Sequence, residues 1–142
     1  MILPDVNVLV YAFHVGTPDH ARYRRWLLGS VAAAEPLGLS ELVLSGFVRV
    51  VTHPRVFAPP VPVAEALDFA ETLRAQPNVV MLGPGPRHWE IFAGLCRQAD
   101  ARGNLVADAY LAALAIESGS EWITTDRDFS RFPGLRWRHP LG

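Results

Sequence analysis

The sequence predicts an α/β fold in which a central parallel sheet is flanked by helices. Three observations predict it. Short apolar runs of strand length alternate with helical periodicities along the chain. Residues 106–117 are apolar nearly all round, the mark of a helix buried against other elements. No repeat or low-complexity tract interrupts the 142 residues, a length that suits one domain of roughly 100–150 residues. Strands alternating with helices form a parallel sheet covered on both faces, and ligand sites in such sheets form at the carboxyl ends of the strands.

The elements follow in order. Ile2 and Leu3 form a strand that ends in Asp5, and residues 6–13 a short buried helix. Residues 19–31 form a helix with Ala21, Tyr23, Trp26 and Leu27 among its apolar positions and Arg22, Arg24 and Arg25 interleaved. Residues 37–39 are a strand. Ser40 is a good N-cap for a helix reaching about Thr52 and stopped before Pro54. Residues 63–75 are amphipathic, with Leu67, Ala70 and Leu73 on one side, and residues 79–82 are a strand. Residues 87–101 repeat Trp89, Phe92, Cys96 and Ala99 at helical spacing. Strands at 122–125 and 135–137 complete the sheet. Residues 54–62, with four Pro, and 83–86 are short connections rather than domain linkers.

Composition excludes several chemistries. All 13 basic residues are Arg and none is Lys, so there is no Walker A phosphate loop, pyridoxal-phosphate Schiff base or Schiff-base aldolase site. Arg instead offers a planar fork suited to phosphate. The net charge of −1 rules out a bulk polycation but not a local basic face. A single cysteine, Cys96, excludes an intrachain disulfide. The start of the chain does not read as a signal peptide, and the longest apolar run, residues 109–116, is too short for a membrane helix. A soluble cytoplasmic protein without a membrane partner is expected. Hydrophobic residues make up 50% and charged residues only 19%, so apolar surface is left over for a partner or a second copy.

Four carboxylates stand out from those on solvated faces. Asp5 follows the first strand, Glu41 lies in the first turn of an apolar helix, Asp108 is the only charge between Arg102 and Glu117, and Asp126 ends the strand at 122–125. Each alone is explained by helix capping or by a helix dipole. Together they fall on one edge of the sheet, where like charges raise one another's pKa and a divalent cation relieves the repulsion. Oxygen ligands of this kind suit Mg²⁺ or Mn²⁺, whereas the five His show no paired spacing for zinc. Asp5-Val6-Asn7 also approaches the D-x-D opening of haloacid-dehalogenase-type phosphatases, but the second Asp is Asn7 and no Lys is present for the phosphate clamp.

Four segments, taken in order, resemble a PIN-domain ribonuclease of the VapC-toxin type. They are Pro4-Asp5-Val6-Asn7-Val8-Leu9-Val10-Tyr11; Ser40-Glu41 followed by Ser45-Gly46-Phe47-Val48-Arg49 and Thr52; Gly103-Asn104-Leu105-Val106-Ala107-Asp108-Ala109-Tyr110-Leu111-Ala112-Ala113; and Thr124-Thr125-Asp126-Arg127-Asp128-Phe129 with Arg131-Phe132. All four acidic positions of the pattern are filled. The resemblance implies a PIN-like α/β/α sandwich over residues 1–142 and an endoribonuclease that hydrolyses RNA phosphodiester bonds by metal-activated water, the toxin of a toxin–antitoxin pair. It implies Asp5, Glu41, Asp108 and Asp126 as catalytic residues. Mg²⁺ or Mn²⁺ would be held chiefly by Asp5 and Asp108, with Asp126 also a ligand and Asn7 and Thr124 as orienting groups. Asp128 is set aside as part of a structural turn beside Phe129. Implied partners are the RNA substrate, held by Arg such as Arg22, Arg24, Arg25 and Arg127, a cognate antitoxin and a second copy in a homodimer. Tyr23, Trp26, Leu27 and Phe47 are candidates for the partner surface, although core packing also accounts for each. A non-catalytic interaction module on the same fold, with carboxylates that only cap helices, is the competing reading.

Overall fold

Every strand of the protein runs in the same direction, and this places the carboxyl ends of all five on one edge. The computed structural model describes residues 1–142. In chain order the elements are β1 (Ile2–Pro4), α1 (Val6–Phe13), α2 (His20–Ala32), β2 (Leu37–Ser40), α3 (Glu41–Val51), α4 (Val63–Arg74), β3 (Val79–Leu82), α5 (His88–Ala99), α6 (Asn104–Ser118), β4 (Glu121–Ile123), a 3₁₀ turn (Arg127–Arg131) and β5 (Trp137–Arg138). The strand order is β3-β2-β1-β4-β5, so β1 and β2 lie inside the sheet and are buried along their length. This is the predicted α/β sandwich with a central parallel sheet.

Sequence explains the local choices. β1, β2 and β3 are short runs dominated by Leu, Val and Ile, as suits a sheet covered on both faces. Ser40 closes β2 and caps α3, its hydroxyl accepting from the Leu42 N–H at 3.1 Å. In α6, Ala109, Ala112, Ala113 and Ala115 are buried, and these small side chains let the helix lie close to its neighbours. Gly119, at φ +69°, ends α6 in the left-handed region. Phe13, Phe47 and Phe69 meet at ring-centre distances of 4.9–5.3 Å and join α1, α3 and α4. They belong to a core of 27 buried hydrophobic residues and their half-buried neighbours.

Some boundaries differ from expectation. α6 begins at Asn104 rather than 106, and its first turn, with Val106 and Ala107, is exposed rather than buried. The fourth strand ends at Ile123, so Thr124, Thr125 and Asp126 leave the sheet and lead into the 3₁₀ turn. No helix is long and apolar enough to cross a membrane.

Candidate active site

The carboxyl edge of the sheet collects the acidic residues that the sequence singles out. Asp5 follows β1 directly, Glu41 is the first residue of α3 after β2, and Asp126 lies just past β4. Asp108 comes from α6 as its fifth residue, two residues further into the helix than a start at 106 would place it.

Asp5 is buried and doubly held. Its Oδ1 accepts from the Val6 N–H at 2.7 Å, and its Oδ2 accepts from the Thr124 hydroxyl at 2.7 Å. The same hydroxyl oxygen accepts from the Asp126 N–H at 3.0 Å, so Thr124 ties the two carboxylate-bearing segments together. Asp126 in turn accepts from the Asp128 N–H at 2.9 Å and caps the 3₁₀ turn. Capping is therefore a real role of Asp5 and Asp126, but it leaves their charge unbalanced. Burial pushes the Asp5 pKa up, the bonds from Thr124 and Val6 oppose this, and Asp126 adds to the rise. Asp108, half-buried, is pushed up to about 6, first by burial and then by the charges of Asp126, Asp5 and Asp128. None of these four carboxylates forms an ion pair.

Asp128 thus joins the group even though it sits in the structural turn beside buried Phe129. The D-x-D spacing with Asp126 was the signal for it. Glu41 reaches the same edge but stands apart, largely exposed and 4.0 Å from the Arg74 guanidinium of α4. Asn7 is exposed and makes no side-chain hydrogen bond, so the orienting geometry belongs to Thr124 alone.

The donor set fits a hard divalent cation. It is all carboxylate and hydroxyl oxygen, its charges repel, and no Arg neutralises them. No three acidic or imidazole side chains are gathered closely enough to enclose an ion. These residues form no closed metal cage as they stand, so an ion held here would need water or other ligands to complete its shell.

A model of the PIN domain matches residues 2–135. The chain belongs to the PIN-domain family. It is 48% identical over 141 residues to VapC ribonuclease Mb2897 of Mycobacterium bovis, covering 99% of this chain and 96% of that protein. It is 40% identical over 141 residues to Ribonuclease VapC33 of Mycobacterium tuberculosis, covering 99% of each. Among solved structures, VapBC2 from Rickettsia felis, bound to a DNA fragment from its promoter, superposes with a TM-score of 0.73 at 17% identity over 98% of each chain. VapC20 of Mycobacterium tuberculosis, a sarcin-ricin loop cleaving toxin, gives 0.69 at 19% identity, covering 96% of this chain and 99% of that one. At such identities the structural likeness establishes the fold.

Within this PIN-domain chain, an apolar groove of about 590 Å³ lies beside the carboxylates between α1, α3, α5 and α6. Val6, Leu42, Gly46, Phe92, Val106 and Tyr110 line it. A Cβ on Gly46 would stand 2.9 Å from Val6 Cγ2, so glycine is what lets α3 approach the start of α1 here. The apolar partner surface expected at Tyr23, Leu27 and Phe47 needs correction: all three are buried, Phe47 completely, and Trp26 is half-buried. Their aromatic and aliphatic bulk is spent on helix packing, while the free apolar surface near the site comes from Leu42 and Val106. Arg22, Arg24, Arg25 and Arg127 are exposed and unpaired.

Proposed function

We propose that the protein is a metal-dependent endoribonuclease, the toxin of a toxin–antitoxin pair, with residues 1–142 as one nuclease domain. The observation that carries this reading is the group of Asp5, Asp108, Asp126 and Asp128 on the carboxyl edge of a PIN-family sheet, without a cationic partner, in which the other three charges add to the burial that raises the Asp108 pKa. Relatives named VapC ribonucleases along nearly the full chain support it. Family membership also leaves no place for a dehalogenase-type phosphatase.

Asp5, Asp108 and Asp126 would hold Mg²⁺ or Mn²⁺, and Asp128 deepens the negative potential that attracts it. The ion, when bound, supplies charge neutralisation and acidifies a water for attack on phosphorus. Thr124 fixes the Asp5 carboxylate, and burial beneath the sheet edge keeps it from rotating away. Glu41, at the exposed rim, is assigned to orient water or the RNA strand. Histidine is not needed for this hydrolysis: His20 and His88 bond to the carbonyls of Tyr11 and Tyr110, and His14 stacks on Phe57.

The expected partners are RNA, a cognate antitoxin and a second copy of the chain, in the cytoplasm. The apolar groove suits an antitoxin tail, and an antitoxin Arg pairing bidentately with Asp5, Asp108 or Asp126 would replace the cation. The test is cleavage of single-stranded RNA by purified protein. Cutting with Mg²⁺ or Mn²⁺ and none in excess chelator is expected; full activity in chelator would overturn the metal reading. Induction of the chain alone should arrest growth, and co-expression of the adjacent small gene should restore it.

A further inference from the structure

The carboxyl end of β5 brings a second group of side chains to the same edge. A cleft of about 630 Å³ opens there between the 3₁₀ turn and the segment after β5, lined by Thr125, Arg127, Ser130, Trp137, Arg138 and His139. Thr125 and Arg127 bracket Asp126 in the chain, so the cleft begins where the carboxylate group ends. Its lining carries Arg127, Arg138 and His139 and no carboxylate, although Glu121 of β4 balances Arg138. Arg127 is exposed and forms no ion pair. Arg138 Nε donates to Glu121 at 2.8 Å, which ties it to β4 and leaves its terminal N–H groups without a bond. The Leu141 N–H donates to His139 Nδ1 at 3.1 Å, so the neutral ring carries its proton on Nε2. Trp137 provides the one hydrophobic wall.

This chemistry differs from that of the apolar groove, which lies among α1, α3, α5 and α6 instead. Two guanidiniums, an imidazole N–H and two hydroxyls are partners for phosphate and for ribose 2′-OH. An indole face is a platform on which any base stacks. We infer that the cleft binds the nucleotide adjoining the phosphate to be cut, with Arg127 and Arg138 on its phosphate and Trp137 under its base. The inference rests on the ribonuclease reading and adds the path of the strand: across the ends of β1 and β4 and onto β5. Because stacking needs an unpaired base, the cleft selects single strands and loops rather than a particular sequence.

The test separates binding from cutting. The full-length protein in chelator is titrated with a labelled single-stranded oligoribonucleotide of mixed sequence at several salt concentrations. Arg127→Gln should weaken binding about fivefold or more and lower the salt slope by about one. Ser130→Glu, an exposed position where folding is not at stake, should weaken it further by placing a negative charge in the cleft. Trp137→Leu should weaken binding at an unchanged salt slope. Arg97→Gln, on α5, should match wild type. With Mg²⁺ present, Arg127→Gln should raise KM and spare kcat. If wild type cuts RNA while Arg127→Gln and Ser130→Glu bind and cut it equally well, the inference is overturned and the ribonuclease reading stands. If wild type neither binds nor cuts RNA, both fall. If the two variants lose antitoxin binding but keep RNA binding, the cleft belongs to the protein partner and the inference is overturned.

Discussion

Thr124 donates its hydroxyl to Asp5 Oδ2 at 2.7 Å across a separation of 119 residues, while its oxygen accepts from the Asp126 N–H. One hydroxyl thus sets two carboxylate segments, using both its donor and its acceptor capacity. Thr124→Val keeps the shape and removes both bonds. It should lower cleavage roughly 10- to 100-fold, largely through a higher Mg²⁺ requirement, and Thr124→Ser should retain most activity. The measurement is cleavage rate against Mg²⁺ concentration. A Val variant with the wild-type metal profile would show that Asp5 needs no such support.

Asp5→Asn and Asp108→Asn should each abolish cleavage while the circular-dichroism spectrum stays unchanged. Both preserve side-chain size and remove charge from a repelling group. Asp108→Asn should also raise the melting temperature of metal-free protein, by roughly 2–4 °C for each kcal/mol of repulsion relieved. Cleavage near the wild-type rate would remove that residue from the ligand set.

The pH dependence has a definite sign. Asp108 titrates near 3.8 in the unfolded chain and at about 6 in the folded one. Between those values the folded state binds more protons, so stability falls as pH rises through the interval. Asp5 is shifted in the same direction. The melting temperature of metal-free protein should therefore drop between about pH 4 and pH 6.5, by an amount that solvent screening of the half-exposed Asp108 keeps to a few degrees. The drop should shrink in Asp108→Asn, and Mg²⁺ at neutral pH should recover it. An identical pH profile in the variant would sink this account of the charge cluster.

The groove predicts where antitoxin resistance arises. Leu42 is 51% exposed and Val106 36%, so Leu42→Asp and Val106→Asp introduce charge without disturbing the core. Each should weaken antitoxin binding at least about tenfold, since burying a charge in an apolar contact is costly. Calorimetric titration measures the affinity, and growth under co-expression should show toxicity that is no longer rescued. Unchanged affinity would place the antitoxin elsewhere.

Much of this architecture was legible in the sequence. The alternation of strand and helix, the Ser40 cap and the position of Asp5 at a strand end are local signals, set by periodicity and side-chain chemistry. The convergence of Asp5 with Asp126 was also readable, since parallel strands must end together. Asp128 was harder: its turn is structural, and only the fold reveals that its charge acts on Asp108. The burial of Tyr23 and Phe47 was hidden for a similar reason. An aromatic side chain at helical spacing serves a core or an interface equally well, and the Phe13–Phe47–Phe69 contact depends on α1, α3 and α4 meeting in space. The cleft beside β5 is not legible in the sequence, because Arg127 and His139 come together only through the pairing of β4 with β5.

The strand order carries a consequence for synthesis. β1 lies between β2 and β4, and β4 is the fourth strand to leave the ribosome. Until residues Glu121–Ile123 have emerged and paired with Ile2–Pro4, Asp5 lacks the Thr124 hydroxyl and the Asp126 charge beside it. A growing chain can bury its first half and still carry no assembled carboxylate group. If this group is the nuclease centre proposed above, the topology delays its assembly until the segment around Thr124 and Asp126 has left the ribosome.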